Sequence, residues 1–346
     1  MQQQQQPAHV ADDESGGSSK HVLAPSHGTA VAPAEKIPNF VKQYYETSTF
    51  SHLSTWRLQI QKAAADMIHA KRKLLLAGGD PCVAAPANPP HSAESESGLI
   101  AHIDLDCFYV SVAIRDDPSL AGRCVIVCPT SNSKLDNSTS EVASCSYEAR
   151  QFGVKSRMFI RDALRLCPEP VVIPCTYDKY AAASLKFFQV LLQYTLRIQP
   201  LSADEAFLDL GEHGDQAEEV VRQIRADVLR EIGCPCSAGI AHNRFLARLA
   251  TKRAKPNGQY RLLPELVRDF LEPLSVRDLP GVGESTAKKL DALGVSNVQQ
   301  LVLLPEARLQ RELGLKLGSM LYNRARGIDS AALTLDHVRH VLRESE

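Results

Sequence analysis

The chain has 346 residues, enough for two or three small domains. Its 44% hydrophobic and 23% charged content is ordinary for a globular protein, so composition points to no collagen-like, disulfide-rich or wholly disordered class. A net charge of −1 excludes a strong overall basic bias. No apolar run approaches the ~20 residues of a membrane span, and the glutamine-rich start lacks the basic and apolar regions of a secretory signal. The expectation is an intracellular protein without a membrane partner.

Residues 1–36 are rich in Gln, Ser, Gly, Ala and Pro and are predicted disordered. Large apolar groups then begin: Tyr44, Tyr45, Phe50, Leu53, Trp56 and Ile60. Ser54 is the expected cap of a helix through Trp56 and Met67. Residues 37–77 form an N-terminal extension, and 78–98, with Asn-Pro-Pro and a Ser/Glu run, form a linker.

Leu99–Ile103 is a short apolar run that leads into Asp104-Leu105-Asp106, a buried strand with carboxylates at its C-terminal end. Cys107–Ile114 has helical spacing, and Val125–Cys128 is a second buried strand, followed by a polar loop over 129–140. Val142–Cys145 reads as a third strand and Tyr147–Phe152 as a helix. Helices are predicted over 179–196 and 216–232. Between them, strands Ile198–Ser202 and Ala206–Leu210 flank a turn at Asp204-Glu205. Ser237–Ala241 is a last strand, entering a basic helix over 243–254, and 262–328 is all helical. The order fits an α+β fold with a split-βαβ (ferredoxin-like) sheet.

Nine cysteines invite a metal or disulfide reading. Their scatter, and the Cys234-Pro235-Cys236 spacing, close no zinc site, so reduced structural thiols are expected. Basic character is local. Arg244, Arg248, Lys252, Arg253, Lys255 and Arg261 fall in one stretch without an acid. Such a run is ordinarily a solvated helix face.

Adjacent strands that carry acids at matching heights can bridge two divalent cations for phosphoryl transfer, and hard oxygen ligands suit Mg²⁺. Asp104 and the pair Asp204-Glu205 meet that requirement. Either motif alone would more often cap a helix or fill a turn. Their surroundings are more specific: His102-Ile103-Asp104-Leu105-Asp106-Cys107-Phe108-Tyr109-Val110-Ser111-Val112 and Ser202-Ala203-Asp204-Glu205-Ala206-Phe207-Leu208-Asp209. With Ser146-Tyr147-Glu148-Ala149-Arg150-Gln151-Phe152-Gly153-Val154 and Lys252-Arg253-Ala254-Lys255-Pro256-Asn257-Gly258-Gln259, these strings resemble, in order, four motifs of the Y-family translesion DNA polymerases. Phe40-Val41-Lys42-Gln43-Tyr44-Tyr45, Ser48 through Trp56, and Ala143 through Tyr147 are similar to that family's Rev-type deoxycytidyl transferases.

The resemblance implies a palm with fingers over 99–261 (fingers about 122–178) and a helix-hairpin-helix thumb over 262–328. It implies dCMP insertion onto a DNA primer in the nucleus, by two-metal nucleotidyl transfer that is either template-dependent or protein-templated. Asp104, Asp204, Glu205 and the Leu105 carbonyl would hold two Mg²⁺ ions, with Mn²⁺ as the alternative, while Asp106 is structural. Phe108, Ser146, Tyr147, Arg150 and Lys255 would bind the deoxynucleoside triphosphate, and Tyr109 would exclude a ribose 2′-hydroxyl. Gly281, Val282, Gly283, Lys288 and Lys289 would contact primer–template DNA. Other translesion polymerases are the implied protein partners.

Two departures stand out. The family's Ser-Arg-Leu-His is here Ser48-Thr49-Phe50-Ser51, and Thr49 cannot supply an arginine's bidentate fork, which puts strict dCTP preference in doubt. Residues 329–346 correspond to a linker toward a little finger that the sequence does not reach, the expectation being a fragment, an incomplete gene model or a reduced paralogue. A non-catalytic translesion scaffold and a nucleotidyl cyclase are the competing readings. The basic lysine motif and the helical thumb argue against the cyclase.

Overall fold

The computed structural model describes residues 49–77, 98–129 and 140–334. The predicted disordered start, the Phe40–Tyr45 string, most of the 78–98 linker, most of the 129–140 loop and residues 335–346 lie outside the described residues, as do the side chains of residues 49–55, of Arg57 and of residues 75–77.

Helix α1 (Thr49–Ala77) precedes strand β1 (Ile100–Leu105) and helix α2 (Phe108–Asp116). The helix starts at Thr49, so Ser54 is inside it and is not its cap. Trp56, Ile60, Ala64 and Ile68 recur at four-residue spacing, and this stripe packs into the main core. Polar groups fix the helix further. Lys71 Nζ donates to the Leu192 carbonyl at 2.8 Å, Arg72 Nε to the Leu196 carbonyl at 3.0 Å, and Gln61 Nε2 to the Pro200 carbonyl at 3.2 Å.

A small sheet follows, built from β2 (Val125–Cys128), β3 (Ser144–Cys145) and β4 (Val171–Pro174), with β2 central. Helices α3 (Tyr147–Gln151) and α4 (Ile160–Leu166) belong to this region. Every residue of β2 is buried because successive side chains enter different cores: Val125 and Val127 the main one, Ile126 and Cys128 that of the small sheet. Of the strand expected over Val142–Cys145, only Ser144–Cys145 forms. Glu141 instead bridges to Phe159.

The main sheet adds β5 (Ile198–Pro200), β6 (Glu205–Asp209), β7 (Cys236–Ala241) and β8 (Gln259–Arg261) in the order β5-β6-β1-β7-β8. Its central strand β1 is antiparallel to both β6 and β7. Period-two alternation sorts β1 into two faces. Ala101, Ile103 and Leu105 enter the core under α5 (Tyr177–Leu191) and α6 (Ala217–Ile232). Ile100, His102 and Asp104 face the other way, toward α7 (Arg244–Ala254), where Ile100 joins a second core with Phe207 and Leu246.

Helix α7 packs directly on the sheet. A Cβ on Gly239 would stand 2.2 Å from both the Ala247 carbonyl oxygen and the Thr251 backbone nitrogen. Only glycine allows that approach. The C-terminal part comprises α8 (Val267–Leu271), α9 (Glu284–Ala292), α10 (Val298–Val302), α11 (Glu306–Leu313) and α12 (Leu315–Arg324). It shares the second core through Leu279, Leu290, Leu301 and Leu321.

Candidate active site

Asp104 and Glu205 are direct partners across the β1–β6 ladder. Their side chains share the α7 face, because Ile100 and Phe207, at even spacing from each, also lie there. Asp204 sits in the turn just before β6, its carbonyl accepting the Leu105 N–H at 2.9 Å. The three acids and Leu105 therefore meet at one end of the central strand pair.

Each acid is turned to a separate partner. Lys255 Nζ donates to Asp104 Oδ1 at 2.5 Å. Arg248 Nη2 reaches both Glu205 oxygens, at 3.1 and 3.2 Å, while His102 Nε2 lies 3.3 Å from Glu205 Oε2. The Ser202 hydroxyl donates to Asp204 Oδ1 at 2.5 Å. Among the described residues, no three Asp, Glu, His or Cys side chains converge closely enough to hold an ion as they stand. The donor chemistry nevertheless fits hard divalent cations: three carboxylates, with the Leu105 backbone beside them, at one end of the central strand pair. Burial, with the neighbouring Asp204 charge adding to it, raises the Asp104 carboxyl to about 6 against the pull of Lys255. Burial also opposes charge on Glu205, but His102 and Arg248 outweigh it and hold that carboxyl below its usual range.

Asp106 plays a different part. It is buried, and it accepts hydrogen bonds from the Tyr147 hydroxyl at 2.9 Å, the Ser237 hydroxyl at 2.9 Å and the Asn257 N–H at 2.6 Å. Lys255 reaches it at 3.3 Å. A buried charge held by four donors ties α3, β7 and the segment after α7 to the end of β1.

Two cavities meet at Asp104 and Lys255, which line both. One, of about 260 Å³, opens toward the small sheet and is also lined by Leu105, Phe108, Tyr109, Arg150 and Asp204. The other, of about 470 Å³, opens toward the C-terminal helices and is also lined by Glu205, Arg248, Lys252, Arg277, Gly281 and Val282. Gly281 has φ of +92°, turning the backbone just ahead of α9. Gly283 caps α9 and is exposed, as are Lys288 and Lys289 on that helix. None of the three lines the cavity.

Two residues expected at the nucleotide are engaged locally and line neither cavity. Ser146 caps α3 by accepting from Ala149 N–H at 3.2 Å, and its hydroxyl donates to the Arg123 carbonyl at 2.9 Å. It is buried and lines neither cavity. The reason is local: a serine before a helix satisfies an orphan N–H first. The Tyr147 hydroxyl is engaged by Asp106, and burial followed by that carboxylate raises its pKa far above the ordinary value. Arg150 does line the cavity and lies over the Tyr147 ring at 4.9 Å.

Four residues of the site lie outside the expected set: His102, Thr251, Arg248 and Arg277. His102 is buried, with Nδ1 2.9 Å from Thr251 Oγ1 on α7. Its signal was available, since two residues before Asp104 on a strand means the same face. The cysteines among the described residues form no disulfide with one another.

A family model described as "impB/mucB/samB family" matches residues 103–252, and one described as "DNA polymerase-iota, thumb domain" matches 277–329. The chain is 36% identical over 325 residues to "DNA repair protein REV1" of Arabidopsis thaliana, which covers 94% of this chain and 28% of that protein. It is 41% identical over 237 residues to "DNA polymerase IV" of Shewanella halifaxensis, covering 68% of this chain and 64% of the relative. The structure titled "Insertion ternary complex of Dbh DNA polymerase" superposes with a TM-score of 0.62 at 28% identity, over 68% of this chain and 69% of that one. The chain thus spans under a third of the plant relative and under two thirds of the bacterial one. The sheet and the C-terminal helices agree with these matches: the chain belongs to the Y-family of DNA polymerases, on its Rev1 branch.

Proposed function

We propose that the chain transfers a deoxynucleotide from its triphosphate to the 3′-hydroxyl of a DNA primer, in translesion synthesis in the nucleus. The observation that supports this reading best is the junction of the two cavities at Asp104 and Lys255. The smaller, bounded by Arg150 and Lys255, would take the triphosphate. The larger, bounded by Arg248, Lys252 and the Gly281 turn, would take the primer end. Residues 99–261 then act as palm with fingers at about 122–178, and 262–328 as thumb.

In this reading Asp104, Asp204, Glu205 and the Leu105 carbonyl hold two divalent cations, Mg²⁺ or Mn²⁺. When bound, these would activate the primer hydroxyl and stabilise the leaving pyrophosphate. Lys255 and Arg248 would exchange their carboxylate partners for phosphate oxygens, which suits a bidentate guanidinium. Tyr109 would bar a 2′-hydroxyl, and Gly281, Val282, Gly283, Lys288 and Lys289 would meet backbone phosphates without reading sequence.

Primer extension on a templated hairpin with Mg²⁺ is the test. Extension by the wild type that is lost in Asp204→Ala with Glu205→Ala, at unchanged circular dichroism and DNA affinity, supports the reading. No extension by a folded, DNA-binding wild type would point to a scaffold. Cyclic nucleotide formation without DNA would point to a cyclase.

A further inference from the structure

We propose that Trp56 is a positioning residue for sugar specificity: from α1 it holds the Tyr109 ring in place, and so sets how sharply the smaller cavity excludes ribonucleotides. The proposal rests on Tyr109 acting as the sugar gate.

The Tyr109 ring lines that cavity, yet the residue is only 5% exposed, so most of it is packed. It stacks on Tyr180, with centroids 4.4 Å apart and planes at 29°. Trp56 meets it edge-on at 6.3 Å and 62°, and meets Tyr180 at 6.3 Å and 72°. Tyr177 completes the group, 5.8 Å from Trp56, and Phe108 lies 5.4 Å from Tyr109. The rings come from α1, α2 and α5. Trp56, Tyr177 and Tyr180 line neither cavity, so any effect they have on a bound sugar passes through the rings in front of them: Tyr109, which Trp56 touches directly, and Phe108, which Tyr180 touches.

A ring that excludes a hydroxyl by contact discriminates only as well as it resists being pushed back. In a close-packed interior that resistance comes from the atoms behind it. Tyr180 is fixed within α5, and α1 is itself pinned through Lys71, Arg72 and Gln61 to the end of α5 and to the β5 region. Removing the indole opens space behind Tyr109, and a displacement of a fraction of an ångström would then accommodate the extra oxygen. The extension before the palm thereby gains an influence on the nucleotide pocket that needs no contact with the nucleotide.

The experiment compares kcat/KM for dCTP and CTP in wild type, Trp56→Phe, Trp56→Ala and Tyr109→Ala, with primer–template DNA and Mg²⁺. Trp56→Ala is expected to lower the dCTP/CTP ratio about threefold to tenfold, the scale of an aromatic pair, by raising CTP use with little change for dCTP. Trp56→Phe should retain most of the ratio. A wild-type ratio in Trp56→Ala beside a collapsed ratio in Tyr109→Ala overturns the proposal. An unchanged ratio in Tyr109→Ala overturns the gate reading itself. Trp56 is the one tryptophan of the chain, so its emission supplies a readout that needs no variant. CTP is expected to perturb that emission more than dCTP, at saturation judged by displacement of a labelled nucleotide. Equal responses would overturn the proposal.

Discussion

Lys255 Nζ donates to Asp104 Oδ1 at 2.5 Å, across 151 residues of sequence, and the two side chains form the wall shared by both cavities. The pair is not simply stabilising. Burial raises the Asp104 carboxyl to about 6, with Asp204 adding to it, so Lys255 offsets only part of the cost of a charge at that position.

A pH dependence follows for the protein kept free of divalent ions by chelator. An acid whose folded pKa lies above its unfolded value of about 4 binds its proton more tightly when folded. Its charged form therefore costs stability, not at all below about pH 4, increasingly between about pH 4 and 6, and in full above about 6. Asp104→Asn removes that cost while keeping a partner for Lys255. The chelated variant should be more stable than wild type by about 1 kcal/mol at neutral pH, with the gain vanishing toward pH 4. Thermal melts across that range are the check. Equal melting temperatures at neutral pH would show that Asp104 is not strained by its burial.

Asp106 should behave in the opposite way, although only Leu105 separates it from Asp104. Its carboxylate satisfies the Tyr147 hydroxyl, the Ser237 hydroxyl and the Asn257 N–H, and Asp106→Ala would strand all three, leaving Lys255 to Asp104 alone. The expected loss is about 3–5 kcal/mol, the scale of a broken buried charge network. Urea midpoints for Asp106→Ala and Asp104→Ala, measured without metal, should differ in that sense. A smaller loss for Asp106→Ala than for Asp104→Ala would reverse the assignment of structural and functional acid.

This contrast also shows how far the sequence could be read. The strand and face of Asp104 follow from period two, whereas Glu205, expected in the turn with Asp204, is the first residue of β6 and pairs with Asp104. The short strands β4 and β8 and helix α4 escaped because three to seven residues carry too little periodicity. Ser146 answers two demands, helix cap and motif position, that the sequence alone does not separate. Arg248 was out of reach for another reason. It lies 43 residues after Glu205, and only the crossing of α7 over the sheet brings the two together.

That crossing depends on Gly239, which yields a third prediction. In Gly239→Ala the new methyl would stand 2.2 Å from backbone atoms of Ala247 and Thr251, and backbone cannot rotate away as a flexible side chain could. Helix α7 must shift, carrying Arg248 and Lys252 and the approach to Lys255 with it. The variant should lose about 1–3 kcal/mol or more and also lose nucleotide transfer at temperatures where it remains folded. Gly98→Ala, where nothing lies within 4 Å of the added carbon, is the control and should match wild type in both. Full activity in folded Gly239→Ala would mean that the α7–sheet distance does not set the site.

The last prediction concerns which nucleotide is inserted, and it follows from Thr49. In the Rev-type mechanism that the chain resembles, an arginine at this position donates two parallel hydrogen bonds to the acceptors of incoming cytosine, and a bidentate pair discriminates by about 1–3 kcal/mol. A threonine hydroxyl makes one bond at most and from a shorter reach, so much of that discrimination should be lost. Thr49 opens α1, the helix that also carries Trp56, so a longer side chain there extends from an element already anchored to the core. Wild type should then prefer dCTP only weakly, and Thr49→Arg should raise its preference about tenfold or more, without altering the dCTP/CTP ratio that Trp56 and Tyr109 are proposed to set. Single-nucleotide insertion opposite each template base, with all four dNTPs, measures both variants. Strong dCTP insertion by wild type opposite every base would refute the idea and place the donor elsewhere in residues 39–57.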